Sequence, residues 1–188
     1  MTPNEKSKVL SEALPYIKKF FGKTIVIKYG GNAMVDKKLK HSFAKDLVLL
    51  KLVGMNPVII HGGGPQINEA LDKFGKKPIF ENGIRVTDEE TMSIVANVLN
   101  DINKQIVSLI KENGGEAISY SNKKTSGIIR AKKIQADKNS VDLGYVGEIV
   151  SINPSFMKEL RDDGIIPIIA PIGIGSDNKF YNINADVV

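Results

Sequence analysis

Cysteine and tryptophan are missing from this sequence, and histidine occurs only twice, as His41 and His61. Without cysteine there can be neither disulfides nor thiolate metal sites, and a cytoplasmic location is the default. Two histidines are too few for a histidine-rich metal centre, so no metal ligand is assigned. No apolar run approaches the roughly 18 residues that cross a bilayer. The start, MTPNEKSKVLSEALPY, lacks the charged-then-apolar order of a secretory signal, so no membrane partner is expected. Arginine is also scarce: among 26 basic residues only Arg85, Arg130 and Arg161 could contact base edges bidentately. With 6% aromatics and no basic-aromatic motif, the net charge of +5 reads as a lysine-rich solvated surface, not a nucleic-acid site.

What is present suits a globular protein with a sizeable core. The 188 residues are 42% hydrophobic and 25% charged, and the length fits one domain or one with part of another. Residues 5–21 have the apolar spacing of an amphipathic helix, with Pro15 expected to bend or interrupt it. KTIVIKY (23–29) is a β-branched strand ended by Gly30-Gly31. A helix over 37–53 carries Phe43, Leu47, Leu50 and Val53 on one face. PVIIH (57–61) reads as a strand covered on both sides, followed by three glycines and a helix from about Gln66 to Phe74. Asn82-Gly83 supplies the turn of a hairpin within 75–87.

TDEE (87–90) has the pattern of a capping box, Thr87 with Glu90, opening a long helix to about Asn113. Its narrow seam, Met92, Val95, Leu99, Ile102, Ile106 and Leu109, suits a core, and its length also allows a dimer contact. Strands are expected near 116–120, 128–134 and 145–152. Asn153-Pro154 should cap a further helix, and GIIPIIAPIG (164–173) reads as one more buried strand. The alternation of strands and helices makes the chain α/β with a mainly parallel sheet plus an excursion of hairpins.

Two glycine loops follow buried-type strands: Gly30-Gly31 after IVIKY and Gly62-Gly63-Gly64 after VIIH. The carboxyl edge of a parallel sheet is where ligands bind. Three glycines let backbone amides approach an anion beside the positive end of the next helix, and a phosphate is the natural guest. The glycines could equally serve only a tight turn. GKT at 22–24 is not a P-loop, because Ile17 stands where that motif needs glycine, and no G-x-G-x-x-G occurs. Lys28, inside an apolar strand and two residues before a glycine loop, should either meet a negative charge or reach out to the sheet edge.

KYGGNAM, HGGGPQI, NGIRVTDEETM, DLGYVGEIVSINP and IPIIAPIG…YNINAD, in this order, resemble the acetylglutamate kinases of the amino acid kinase family. The resemblance implies an open three-layer αβα sandwich in which one half binds the amino acid and the other ATP. It implies a kinase that passes the γ-phosphoryl of ATP, with Mg2+, to the side-chain carboxylate of N-acetyl-L-glutamate, the second step of arginine biosynthesis. Lys28 would hold the transferring phosphoryl group, and Asp186 would orient the catalytic lysines. Gly30, Gly31, Gly63 and Gly64 would donate to phosphate oxygens, Gly63 and Gly64 also lying against the substrate. Arg85 and Asn182 would grip the amino acid. A carboxylate is already ionised at neutral pH, so the reaction needs positive charge and positioning, not a general base.

Residues 1–21 resemble the extra helix of the arginine-inhibited acetylglutamate kinases, which joins dimers into a hexamer; arginine and a PII-type signalling protein are then candidate regulators. Residues 22–188 correspond to the acetylglutamate-binding lobe. The chain stops at NADVV, where the family continues into the ATP-binding half, so alone it is expected to be an inactive fragment. Where the family has a G-x-S-G-x-D-G-like stretch, residues 119–129 read SYSNKKTSGII. Two alternatives stand beside this one: another carboxylate or carbamate kinase of the family, and a non-catalytic acetylglutamate-binding module.

Overall fold

The structure, a computed structural model, describes residues 1–121, 128–135 and 141–188. Helix α1 (Pro3–Phe20) precedes strand β1 (Thr24–Tyr29), a short 3-10 turn (Gly31–Met34) and helix α2 (Lys37–Leu52). Strand β2 (Asn56–His61) and helix α3 (Gly64–Lys73) follow, then the hairpin β3 (Phe80–Glu81) and β4 (Ile84–Arg85). Helix α4 (Glu89–Glu112) leads to β5 (Glu116–Tyr120), β6 (Ile129–Lys133) and β7 (Gly147–Ile152). Helix α5 (Phe156–Asp162), β8 (Ile165–Ile169), β9 (Ile172–Ile174) and β10 (Phe180–Asn182) complete the order.

The central sheet is parallel, in the order β1-β2-β8-β5. Tyr29 stands beside His61, Ile60 beside Ile169 and Tyr120 beside Ile169, so all four strands end along one edge. On one face, Ile59, Ile166 and Ile168 pack with Leu47, Leu71, Val95, Leu99 and Ile110 of the helices α2, α3 and α4. On the other face, Val58, Ile60 and Ile169 meet Ile128 and Ile129. A second, mixed sheet runs β10-β9-β6-β7. The chain is thus α/β with a parallel core, as its strand–helix alternation predicts. Nearly the whole α4 seam is spent inside this subunit: Met92, Val95, Leu99, Ile102 and Ile106 are buried in its own core.

Several expectations need correction. Pro15 does not interrupt α1, which runs through it. Proline removes one amide donor, and on an exposed helix water can take the freed carbonyl. A capping box that the sequence reading missed, Thr2 with Glu5, secures the start. The cap of α4 is Asp88, whose carboxylate accepts the Thr91 amide at 2.7 Å; Thr87 is fully buried, its hydroxyl donating to the Arg85 carbonyl at 2.8 Å. The buried residues of α2 are Ala44, Leu47 and Val48, whereas Leu50 and Val53 are half-buried. Helix α3 begins at Gly64, two residues earlier than expected.

The run 164–173 is two strands in two sheets: a turn from the Ile172 amide to the Ala170 carbonyl (2.8 Å) separates β8 from β9. The hairpin turn is as read, with Asn82 at φ 49° and Gly83 at φ 79°. Asn153 does start a turn, accepting the Ser155 amide at 3.0 Å, though α5 begins at Phe156. Of the divergent stretch 119–129, residues 122–127 lie outside the described residues.

Candidate functional site

A cleft of about 310 Å³ opens at the carboxyl edge of the central sheet. It is lined by the loop after β2, the β3–β4 hairpin, Lys28 and the segment 182–186. Each part is placed by a local rule. Strand β1 is in register with β2, and the Gly62 amide donates to the Tyr29 carbonyl at 2.8 Å, so the two glycine loops leave the sheet side by side. Gly63 caps α3, accepting the Ile67 amide at 2.8 Å.

Gly63 and Gly64 stand in different surroundings. A Cβ on Gly63 would come within 2.8 Å of Leu99 Cδ2 and 3.0 Å of Ile102 Cδ1, so a side chain there would have to displace these two buried side chains of α4. A Cβ on Gly64 would meet nothing within 4 Å; this residue faces open space. The amides of Gly63 and Gly64 have no hydrogen-bond partner among the described residues, and they border the cleft at a helix N-terminus, where an anion is favoured. Gly30 and Gly31 do not line the cleft. Gly30 lies against the Lys28 side chain, and Gly31 takes φ +64° to turn the chain into its 3-10 segment.

Lys28 Nζ pairs with Asp186 Oδ1 at 2.8 Å, so the expected negative charge is present. The lysine itself is half exposed, because its face of β1 is open to solvent beside Val26. Asp186 sits in a turn made by Asn184, whose Oδ1 accepts the Asp186 amide at 3.0 Å.

Arg85 is buried on β4. Its Nη2 donates to Asn68 Oδ1 at 2.6 Å and lies 3.5 Å from the Gly64 carbonyl, and its guanidinium stacks over Phe80 at 4.7 Å. Its Nη1 is buried without a partner among the described residues. Burial draws the Arg85 pKa below its ordinary value, yet an arginine remains charged, and a buried unpaired donor on a cation favours an arriving anion. Asn182, on β10, is held through Nδ2 to Thr87 Oγ1 at 3.3 Å and through its amide to the Tyr145 carbonyl at 2.9 Å.

Lys28, Gly63, Gly64, Arg85, Asn182 and Asp186 therefore surround one cleft, drawn from points far apart in sequence. Asn68 and Phe80, which steady Arg85, were not singled out from sequence, and Thr87, which steadies Asn182, was expected there only as a helix cap. Asn68 had a signal: it lies four residues after Gly64, one helical turn along the face that meets the hairpin. Among the described residues, no group of three or more histidines, aspartates or glutamates is arranged to hold a metal ion, and no helix is long and apolar enough to cross a membrane.

The family model described as Amino acid kinase family matches residues 23–188. The acetylglutamate kinase of Cupriavidus metallidurans is 56% identical over 194 aligned positions, covering 100% of this chain and 62% of the relative. That of Methylobacillus flagellatus is 58% identical, covering 100% of this chain and 65% of the relative. The chain thus spans less than two thirds of these curated relatives. Among solved structures, N-acetylglutamate synthase from Neisseria gonorrhoeae, complexed with coenzyme A and N-acetyl-glutamate, superposes with a TM-score of 0.81 at 23% identity. That match covers 94% of this chain and 40% of the synthase, and at this identity it speaks for the fold alone.

Proposed function

The chain belongs to the amino acid kinase family, and from that premise we propose that residues 22–188 are the acetylglutamate-binding lobe of an ATP-dependent acetylglutamate kinase. The observation that carries this reading is that Arg85, a buried cation whose Nη1 has no partner among the described residues, lines the same cleft as Lys28 and the triglycine. A substrate with one carboxylate to anchor and another to phosphorylate fits that arrangement. Arg85 and Asn182 hold the amino acid; a guanidinium suits a carboxylate because its donors form a planar fork.

In the reaction, a side-chain carboxylate oxygen forms a bond to the γ-phosphorus of ATP, and the bond from that phosphorus to the β-phosphate bridging oxygen breaks. The products are N-acetylglutamyl phosphate and ADP. No proton needs to move, since a carboxylate with a pKa near 4.3 is ionised at neutral pH. The obstacle is repulsion between two anions. Lys28 supplies positive charge to the transferring group, with Asp186 steering its ammonium, and the Gly63 and Gly64 amides donate to its oxygens. Gly30 and Gly31, which follow Lys28 at the end of β1, donate backbone amides to the phosphate oxygens of ATP. Mg2+ arrives with ATP as part of the co-substrate and neutralises its phosphates.

The proposal extends to assembly. None of the α1 residues is buried, and Leu10 and Leu14 are 69% and 48% exposed. This stripe suits the equivalent helix of another copy, joining dimers into a hexamer, with arginine and a PII-type protein as regulators of a cytoplasmic enzyme. The catalytic reading is tested with the full-length protein by ADP release and by hydroxylamine trapping of the acyl phosphate. N-acetyl-L-glutamate should be phosphorylated far faster than glutamate, aspartate or carbamate. A preference for any of those three points to another kinase of the family, and binding without turnover points to a non-catalytic module.

A further inference from the structure

His61 closes β2 immediately before the triglycine and is fully buried. Its ring lies on the α4 side of the sheet. Nδ1 is 2.9 Å from the Gly62 carbonyl, and Nε2 is 3.2 Å from Asn103 Nδ2. Asn103 Nδ2 also donates to the Ile168 carbonyl at 2.9 Å. That second bond fixes the amide: turned the other way, its oxygen would face a carbonyl oxygen. Asn103 Nδ2 is therefore the donor to Nε2, Nε2 carries the lone pair, and the ring proton sits on Nδ1, where it can donate only to Gly62.

The consequence lies one bond further on. In a trans peptide the carbonyl and the following N–H point in opposite directions. The Gly62 carbonyl is held toward α4, so the Gly63 N–H is sent to the other side, which is the side of Lys28: Lys28 is in register with Ile60, which packs on the face away from α4. Gly63 lines the cleft, and its amide has no partner among the described residues. We propose that His61 is a positioning residue for phosphoryl transfer: its Nδ1–H, set by Asn103, holds the Gly62–Gly63 peptide so that the Gly63 N–H donates into the cleft. This rests on the catalytic reading above.

The test uses two substitutions in the full-length protein that each keep half of the ring. Asn places a donor near the position of Nδ1, and Gln places its amide near the position of Nε2. His61→Gln should lower kcat about tenfold or more while KM for N-acetyl-L-glutamate changes less than about threefold, the pattern of an interaction realised in the transition state. His61→Asn should restore kcat to within about threefold of wild type. A crystal structure of His61→Gln should show the Gly62–Gly63 peptide rotated.

Normal turnover in a folded His61→Gln, or lost turnover with the peptide unrotated, overturns the inference and leaves the catalytic reading standing. If His61→Gln does not fold, His61→Asn carries the test: a tenfold loss of kcat in that folded variant overturns it. A wild-type protein that does not phosphorylate N-acetylglutamate removes the catalytic reading, and this inference with it.

Discussion

Lys28 Nζ and Asp186 Oδ1 lie 2.8 Å apart with side chains 50% and 64% exposed. An ion pair that open contributes at most about 1 kcal/mol to stability, and often nothing measurable. The fold does not need the pair, so the lysine's place in an otherwise apolar strand is better explained by the cleft it borders.

Lys28→Met should therefore separate stability from turnover. In the full-length protein, kcat is expected to fall on the order of 10² or more, because the charge matters most as the phosphoryl group moves. The unfolding free energy should change by less than about 1 kcal/mol. Steady-state kinetics and urea denaturation on one preparation decide it: near-normal turnover would make Lys28 a structural residue.

Arg85→Lys tests the grip on the amino acid. Lysine keeps the charge but loses the stacking on Phe80 and the fork that reaches Asn68 and leaves Nη1 free. KM for N-acetyl-L-glutamate should rise about tenfold or more, with KM for ATP nearly unchanged. Equal effects on both substrates would mean that the hairpin has lost its fold and that Arg85 does not discriminate the amino acid.

The parts of this molecule legible in its sequence are those set by local rules. The β-branched runs 24–29 and 57–61, each followed by glycine, are strands; Asn82-Gly83 is a turn because both residues take positive φ. What escaped was decided by distant contacts. Thr87 has the composition of a cap, yet its hydroxyl is claimed by the Arg85 carbonyl and by Asn182, so Asp88 caps instead. The apolar run 164–173 carries no polar punctuation, and only the turn at Pro171 divides it between two sheets. Asn103, beside the apolar seam of α4, carries no mark in the sequence; its partners His61 and Ile168 exist only once β2 and β8 lie beneath α4. Lys28 was expected to need a negative charge on grounds of burial, whereas it is half exposed and pairs with Asp186 anyway.

Acid stability should report the burial of His61. Its pKa falls from 6.5 to about 4 because burial penalises the charged ring. In the unfolded chain the ring takes up a proton below about pH 6.5; in the folded chain it does so only near pH 4. Stability from this group is thus complete above about 6.5 and declines as pH falls toward 4, by on the order of 3 kcal/mol. Denaturation curves of wild type and His61→Asn between pH 7.5 and 4.5 should converge by that amount, the variant starting lower and losing less. Parallel curves would mean that the ring is accessible to protons in the folded state.

The last prediction concerns α1. Its cap is complete, Thr2 with Glu5, yet none of its residues is buried, and Leu10, Leu14 and Phe21 are 69%, 48% and 67% exposed. A lone helix of this length is marginal in water and gains its stability by covering an apolar surface. Where the chain leaves the helix, the Gly22 amide donates to the Gly54 carbonyl at 2.7 Å and the Phe21 ring lies against Gly54. The matching stripe of a second copy would give Leu10 and Leu14 their partners. The full-length protein should then be a hexamer, and removal of residues 1–20 should leave an active dimer with weakened inhibition by arginine. Deletion should cost the fold little, since no residue of α1 is itself buried. Light scattering of the two proteins at equal concentration measures the outcome. A mass per particle that does not change on deletion would show that α1 joins no copies, and the assembly and arginine-control readings would then lose their support together.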